Sequence, residues 1–471
     1  MKNAECNQIL KMFKKKLYHT AIIICSIFFF MSCNKENTLD PEDDTTVIED
    51  DDPIIPGDPE IDWIKTFGGS GEDNAVSVVE ASDGGYVILG STKSNDGDVS
   101  NKTTNDSDYW ILKLNPEGEK LWNKVYGGSA DDNATHISNT SDGGYIVSGY
   151  SRSNDGDVSG NEGFHDYWIV KLDASGNIQW EQNEGFAGSD QAFDVFETSD
   201  GGFFVTGFFD FSASDGQGND LGKSTLHGVG EFWAVRLDNS GTKLWRRYFG
   251  GTNNDRSYSA LETNNGDFLM VGSSESDDFD ITDAKGSYDF WVVRITSEGD
   301  LMWTKSFGGA EIDIGYSVCK SADGNFIMVG DSRSQDQDVS TSLGNADAWV
   351  IKFNGDGDLL WERSFGGSNF ESARSISKMN TGNYLIAGNS RSLSGDLTDN
   401  NGANDAWIFI ITESGTIDFQ YSVGGSGLDF ANQAIQTSDN KILVVGETES
   451  NDFDILENKG SKDFLVIKFK Q

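Results

Sequence analysis

The chain has 471 residues, with 55 Gly, only 5 Pro and aromatics at 12%. It is too aromatic for a disordered chain and too glycine-rich for a helical one, a balance that suits a β protein with many tight turns. Seventy-seven acids against 35 bases give a net charge of −42, which excludes a nucleic-acid binder working through its own positive charge and disfavours direct adsorption to an anionic bilayer.

The first element is an export signal. Lys2, Lys11, Lys14, Lys15 and Lys16 form a basic region, Ala21 to Met31 an apolar run, and Ser32-Cys33 follows. Eleven apolar residues are too few to span a bilayer, so residues 1–32 read as a secretory signal. The segment Phe30-Met31-Ser32-Cys33 resembles a bacterial lipoprotein signal, with Phe30 where that family usually has Leu. The resemblance implies that Cys33 becomes the lipidated first residue of the mature chain, held to a membrane by acyl chains whatever the protein's own charge. Loss of five lysines and Glu5 leaves 30 bases and 76 acids, a net charge of −46.

Residues 33–60 read as a tether. Four of the five prolines lie there (Pro41, Pro53, Pro56, Pro59), with acidic runs such as Glu49-Asp50-Asp51-Asp52; self-repulsion and proline stiffness predict an extended, disordered stretch. With Cys6 and Cys25 removed and Cys33 lipidated, Cys319 is the one remaining thiol. There is no disulfide framework, so burial alone must hold the core.

From Ile61 the chain repeats. Trp110, Trp168, Trp233, Trp291, Trp349, Trp407 and Leu465 are spaced by 58, 65, 58, 58, 58 and 58 residues; Trp63, Trp122, Trp180, Trp245, Trp303, Trp361 and Phe419 by 59, 58, 65, 58, 58 and 58. Each copy reads as four strands, A to D. In the second copy A begins near Ala134, B is 145–150 after the turn Ser141-Asp142-Gly143-Gly144, C is 166–173, and D carries Trp180. Strand C is apolar on both pleat faces, as a strand covered by a sheet on each side must be. The predicted fold is therefore all-β, a seven-bladed β-propeller of four-stranded antiparallel blades over 61–471. The first strand (61–67) is a lone D and the last (463–469) a C, and pairing them completes the seventh blade and removes an exposed edge.

These residues resemble the bacterial seven-bladed beta-propeller repeat family, found in secreted and lipid-anchored proteins. The resemblance rests on Gly-Gly-Ser-x-x-Asp-x-Ala (68–75, 424–431), Asp-Gly-Gly-Tyr (83–86, 142–145) and Asp-Ala-Trp-x-x-Lys (347–352). It implies the fold over 61–471 and a cell-envelope, outer-membrane placement, and says little of function. The Pro that often follows Asp-Phe in the family's B–C loop is absent here, where Asp278-Phe279-Asp280 and Asp452-Phe453-Asp454 stand instead.

Three positions are acidic in every copy: Asp73, Asp132, Asp190, Asp255, Asp313, Glu371 and Asp429 before strand A; Asp98, Asp157, Asp215, Asp280, Asp338, Asp396 and Asp454 in the B–C loop; Asp108, Asp166, Glu231, Asp289, Asp347, Asp405 and Asp463 at the start of strand C. In an A–D meander the D–A and B–C connections leave the same side of the disc, so this reading predicts one acidic contact face. Recurrence in every blade favours a structural role, with Asp accepting backbone N–H bonds, and some acids are expected to pair with the strand-C cations Lys113, Lys171, Arg236, Arg294, Lys352 and Lys468. The alternative is Ca²⁺ held by the B–C loops, from Asp96/Asp98/Asp108, Asp155/Asp157/Asp166, Asp278/Asp280/Asp289 and Asp336/Asp338/Asp347.

Catalytic motifs are sparse. The sequence has no HExxH, no paired CxxC and no GxSxG, and residues 218–224 (GNDLGKS) are one residue short of a phosphate loop. Carboxylates are too abundant for a glycosidase pair to stand out. The third blade breaks symmetry: its B–C loop is seven residues longer and brings Phe208, Phe209, Phe211, Lys223 and His227, beside Phe164 and His165 of the second blade, a candidate surface for stacking a sugar or peptide. The expectation is a monomeric, lipid-anchored, non-enzymatic propeller that binds a protein or glycan on an acidic loop face. The alternatives are a carbohydrate-active hydrolase or polysaccharide lyase, and a structural spacer.

Overall fold

The computed structural model describes residues 60–222 and 227–470. The signal, Cys33, the tether up to residue 59 and Lys223 lie outside the described residues.

Seven four-stranded antiparallel sheets make up the ring. The innermost A strands are Asp73–Glu80, Asp132–Asn139, Gln191–Glu197, Asp255–Glu262, Asp313–Lys320, Glu371–Lys378 and Asp429–Gln436. In the seventh blade the order from the outside is Ile61–Phe67, Asp463–Phe469, Ile442–Thr448, Asp429–Gln436, so the chain closes by pairing its first described strand with its last.

The core lies between blades. Every C strand is buried along its whole length, because each is covered by the sheets before and after it. The Trp period has a direct cause: the strand-C Trp of one blade packs on the strand-C aromatic of the previous one. The ring centroids are 4.3 Å apart for Trp110 and Phe464, 4.4 Å for Trp168 and Tyr109, 4.7 Å for Trp233 and Tyr167, and 4.5 Å for Trp291 and Phe232. Five tryptophans are fully buried this way and a sixth, Trp407, follows a blade with Ala348 at that position and stacks on Phe409 of its own strand, each contributing about 1.5–3 kcal/mol or more of apolar burial. The strand-B glycine recurs for close approach: a Cβ at Gly90 would overlap the Asn74 carbonyl and the Phe464 ring of the neighbouring blade.

One side of the disc carries the A–B and C–D turns. The strand-C cations bond here, which corrects the expected pairing with the acids of the loop face. Lys171 Nζ lies 2.8 Å from Asp142, Lys352 Nζ 2.7 Å from Asp323 and Arg294 2.9 Å from Asp267, all in A–B turns. Lys113–Asp83 and Arg236–Asp200 repeat the pairing. Strand C starts at the loop face, so its sixth residue has already crossed to the other side. The two loop types do share one face: short parallel bridges join the start of strand C to the D–A connection, as in His165–Ser189 and Tyr288–Ile312.

Candidate functional site

The repeated carboxylates are woven into this face. All seven acids of the strand-A series are fully buried, and each accepts a backbone N–H at 2.7–2.8 Å from the turn that precedes it, as Asp73 does from Gly69 and Glu371 from Gly367. A serine of the next loop adds a second donor, as Ser153 does to Asp132 at 2.8 Å. In six blades the B–C loop acid accepts from the glycine that ends strand D, at 3.0–3.2 Å; Asp215, in the longer loop, is exposed and departs from the pattern. The same loops explain the missing proline, since Asp280 and Asp454 donate their own N–H to Gly250 and Gly424.

At the start of strand C, Asp166, Asp347, Asp405 and Asp463 each accept the N–H of the residue four positions earlier. Desolvation raises these groups, Asp108 and Asp289 to about 7 and Asp166, Asp405 and Asp463 to about 6. Their other oxygen, Oδ1, is buried without a hydrogen-bond partner in Asp108, Asp166, Asp289, Asp347, Asp405 and Asp463.

The Ca²⁺ sets do not assemble. Asp96 accepts the N–H of Ser70 at 2.7 Å, Asp98 is bridged by Lys120 and Lys459, and Asp108 is bonded to Lys102. Asp155, Asp278 and Asp336 accept from Ser129, Thr252 and Ala310. Asp157, Asp280 and Asp338 serve the strand-D glycines, and Asp166, Asp289 and Asp347 their own loops. In each set two acids are thus spent on N–H groups of one D–A turn and the third on its own loop, and no group of three His, Cys, Asp or Glu among the described residues is placed to hold a metal ion.

The aromatic cluster of the third blade also divides. Phe208 and Phe209 belong to strand Phe203–Phe209, and Phe211 opens a 3₁₀ turn, Phe211–Ala213, capped by Asp210. That turn folds the longer loop inward: Phe209 packs on Trp233 at 5.2 Å, Phe211 on Tyr248 at 5.3 Å, and all three phenylalanines are buried. His227 is buried too, bonded to Glu231 and stacked on Phe279 at 4.9 Å. As a display of stacking rings this cluster is corrected, since its inserted residues fill the blade's end. Phe164 alone stands out, 55% exposed beneath the Arg152 guanidinium, with His165 against its edge at 4.4 Å.

Two features were missed. The first is an apolar crown. Outside the outermost D strands, every exposed large hydrophobic among the described residues lies in a B–C loop: Phe164, Leu221, Val229, Phe279, Leu343, Leu393, Phe453 and Leu456. Phe279 and Phe453 hold left-handed backbone, at φ 50° and 53°. The second lies on strand A, which breaks register at one place in every blade, around the third residue after the buried acid. That position holds Val76, Thr135, Phe193, Tyr258, Tyr316, Arg374 and Asn432. The acid column, already aligned, would have exposed this run of Phe, Tyr, Tyr and Arg had it been read three residues further.

No protein-family model matches the chain. The regulatory protein FlaEY of Caulobacter vibrioides is 24% identical over 193 residues, 38% of this chain; the match spans a fifth of that protein's length. Among solved structures, virginiamycin B lyase from Staphylococcus aureus aligns over 87% of this chain and 99% of its own at 11% identity, with a TM-score of 0.45. Sqt1 from Chaetomium thermophilum aligns over 88% and 100% at 11% identity and 0.46, and BamB from Moraxella catarrhalis over 88% and 98% at 12% identity and 0.36.

Proposed function

We propose that this protein is a lipid-anchored, non-enzymatic propeller of the cell envelope, held at the outer membrane through Cys33, that binds a protein partner on its loop-bearing face. One observation carries the reading: the exposed apolar side chains of the loops gather on that face, and the A–B and C–D turns of the other side contribute none among the described residues. Apolar side chains grouped on one surface of a monomer mark a contact site. The carboxylates that suggested an acidic contact face are instead committed to the scaffold's own N–H groups. That commitment also weighs against a hydrolase, because the strongly raised acids are buried and bonded within the blades.

Photo-crosslinking in cells tests the face. A crosslinker placed at Leu393 or Phe453 should give a discrete protein adduct, and one at Gly143 or Gly324 in the opposite turns none; equal adducts from both sides, or none from the loops, would overturn the reading. Anchoring is tested separately: Cys33→Ala should move the protein from the membrane to the soluble fraction, and retention there would remove the lipid from the proposal.

A further inference from the structure

We propose that the axial channel contains a second, independent binding site, for an acidic saccharide, built from Phe193, Tyr258 and Tyr316 between Arg256 and Arg374. The site begins with the strand-A register break. A bulged residue has no cross-strand partner, and its side chain is re-aimed away from the ladder. On the innermost strands of blades three to six that residue is Phe193, Tyr258, Tyr316 and Arg374. Across the ring the same position carries the smaller Asn432, Val76 and Thr135, so the large aromatic and cationic side chains are confined to one arc.

The wall is continuous. Arg256 lies 4.6 Å over the Phe208 ring, Phe208 is 5.9 Å from Phe193, Phe193 5.1 Å from Tyr258, Tyr258 5.4 Å from Tyr316, and Arg374 4.2 Å over Tyr316. Phe193, Tyr258 and Tyr316 stay partly exposed although they touch one another, so their faces are not all used up by packing.

The two arginines say what charge the site expects. This chain has 77 acids and 35 bases, and most of its buried or half-buried cations have found an acid. Arg256, which is exposed, and the half-buried Arg374 make no hydrogen bond and no ion pair within 4.0 Å among the described residues; Glu275 and buried Asp331 act on them only at longer range. Asp331, the acid beside Arg374, accepts instead from Ser372 at 2.9 Å. Stacking occupies the face of a guanidinium and leaves its N–H edge free to grip an oxyanion in bidentate fashion. Flat rings between two such edges match a ligand whose own rings carry carboxylates, which is the chemistry of a uronic-acid oligosaccharide. The strong negative charge of the whole protein disfavours a long polyanion laid across the disc, so the ligand is a short chain or a chain end entering the channel.

The test is calorimetric titration of the full-length protein in detergent with tetragalacturonate, its fully methyl-esterified form and tetraglutamate. Tetragalacturonate should bind, more weakly at high salt, and Arg374→Gln and Arg256→Gln should each weaken it about tenfold or more, the scale of one lost charge-assisted contact. Tyr258→Ala should do the same and Tyr258→Phe should not; should Tyr258→Ala lower the melting temperature, Tyr258→Leu removes the ring with less loss of volume. Equal binding of the neutral ester, equal binding of tetraglutamate, no binding, or binding indifferent to Arg374 would each overturn the site. Leu393→Ser and Phe453→Ser in the crown should leave the titration unchanged. If they abolish it while the channel variants do not, the saccharide belongs to the loop face and the channel assignment fails, whereas failure of the crosslinking experiment leaves this one standing.

Discussion

Phe67, the last residue of the first described strand, pairs with Phe464 near the other end of the chain, and beside it Thr66 pairs with Leu465 and Ile64 with Ile467. Phe67 contributes to the apolar cluster between the seventh and first blades, and Ile64 packs against the cluster between the sixth and seventh. Without the strand, Asp463–Phe469 would present its unpaired edge to solvent, and an unpaired hydrophobic edge invites association. Deleting residues 61–67 should therefore cost cooperativity and solubility together: a lower, broader melting transition by calorimetry and aggregates by size exclusion. A deleted chain that melts as sharply as the parent would show that closure is not made here.

Lys171 is 4% exposed, and its ammonium is held by Asp142 at 2.8 Å, with the Leu172 carbonyl and Gln179 each at 3.1 Å. The sixth blade lacks both partners at once: Ile410 stands at the strand-C position and Thr381 in the turn. A buried cation deprived of its acid is expensive, whereas replacing the whole pair by apolar groups is close to neutral. Asp142→Thr alone should destabilise by about 1–2 kcal/mol, moderated by the two acceptors that remain. Lys171→Ile with Asp142→Thr, the sixth blade's own solution, should return to within about 1 kcal/mol of the parent. Denaturant melts of the two single variants and the double give the coupling directly.

The ring was legible because its signals recur once per blade and each has one cause. Trp at period 58 is the inter-blade aromatic contact, the strand-B glycine is a close approach, and the incomplete end strands are the seam. The face was harder to read. Composition counts carboxylates but does not say whether Asp73 points to water or to the Gly69 N–H, and only the backbone path decides that. Phe208 and Phe209 sit where strand B runs on into the loop, and no residue type marks that boundary. The strand-A bulge was hidden for a related reason: in a strand begun at Ala134, residue type alone does not say that Thr135 is an extra residue without a cross-strand partner.

The acids that open strand A give a second stability test. Asp132 receives Gly128 N–H and Ser153 Oγ, each at 2.8 Å, and the Arg152 N–H at 3.2 Å. Asp132→Ala should strand these donors in a dry site and cost about 3 kcal/mol or more, while Asp132→Glu, the residue the sixth blade uses as Glu371, should cost less. Millimolar Ca²⁺ added to chelator-treated protein should leave the melting temperature within about one degree, since the B–C acids already have partners. A rise of several degrees would be the linkage signature of a bound ion and would return those acids to metal binding.

Stability should also peak on the acid side. Desolvation raises Asp190 to about 8, with Asp166 adding repulsion, and raises Asp463 to about 6, with Asp73 doing the same. An unfolded carboxyl titrates near pH 4, so between about pH 4 and each folded value the native state holds a proton that the unfolded chain has released, and stability falls as pH rises through that window. Asp142, held at about 2 despite partial desolvation by bonds to Lys171 and its own turn, and Asp200, held at about 2 by the Thr198 hydroxyl, the Gly202 N–H and Arg236, act oppositely and lose their contribution as pH drops below about 4. The melting temperature should therefore be highest near pH 4–5 and decline toward pH 8. Asp463 localises the effect. Its Oδ2 accepts the Lys459 N–H at 2.7 Å, and its Oδ1 has no partner where it crowds Gly68 alongside the Asp73 carboxylate. Asp463→Asn would keep the acceptor and place an amide N–H toward Asp73, replacing a repulsion by a hydrogen bond worth about 1 kcal/mol. The variant should melt higher than the parent at pH 8 and level with it at pH 4; a variant destabilised equally at both would show that Asp463 is ionised in the fold and needs its charge.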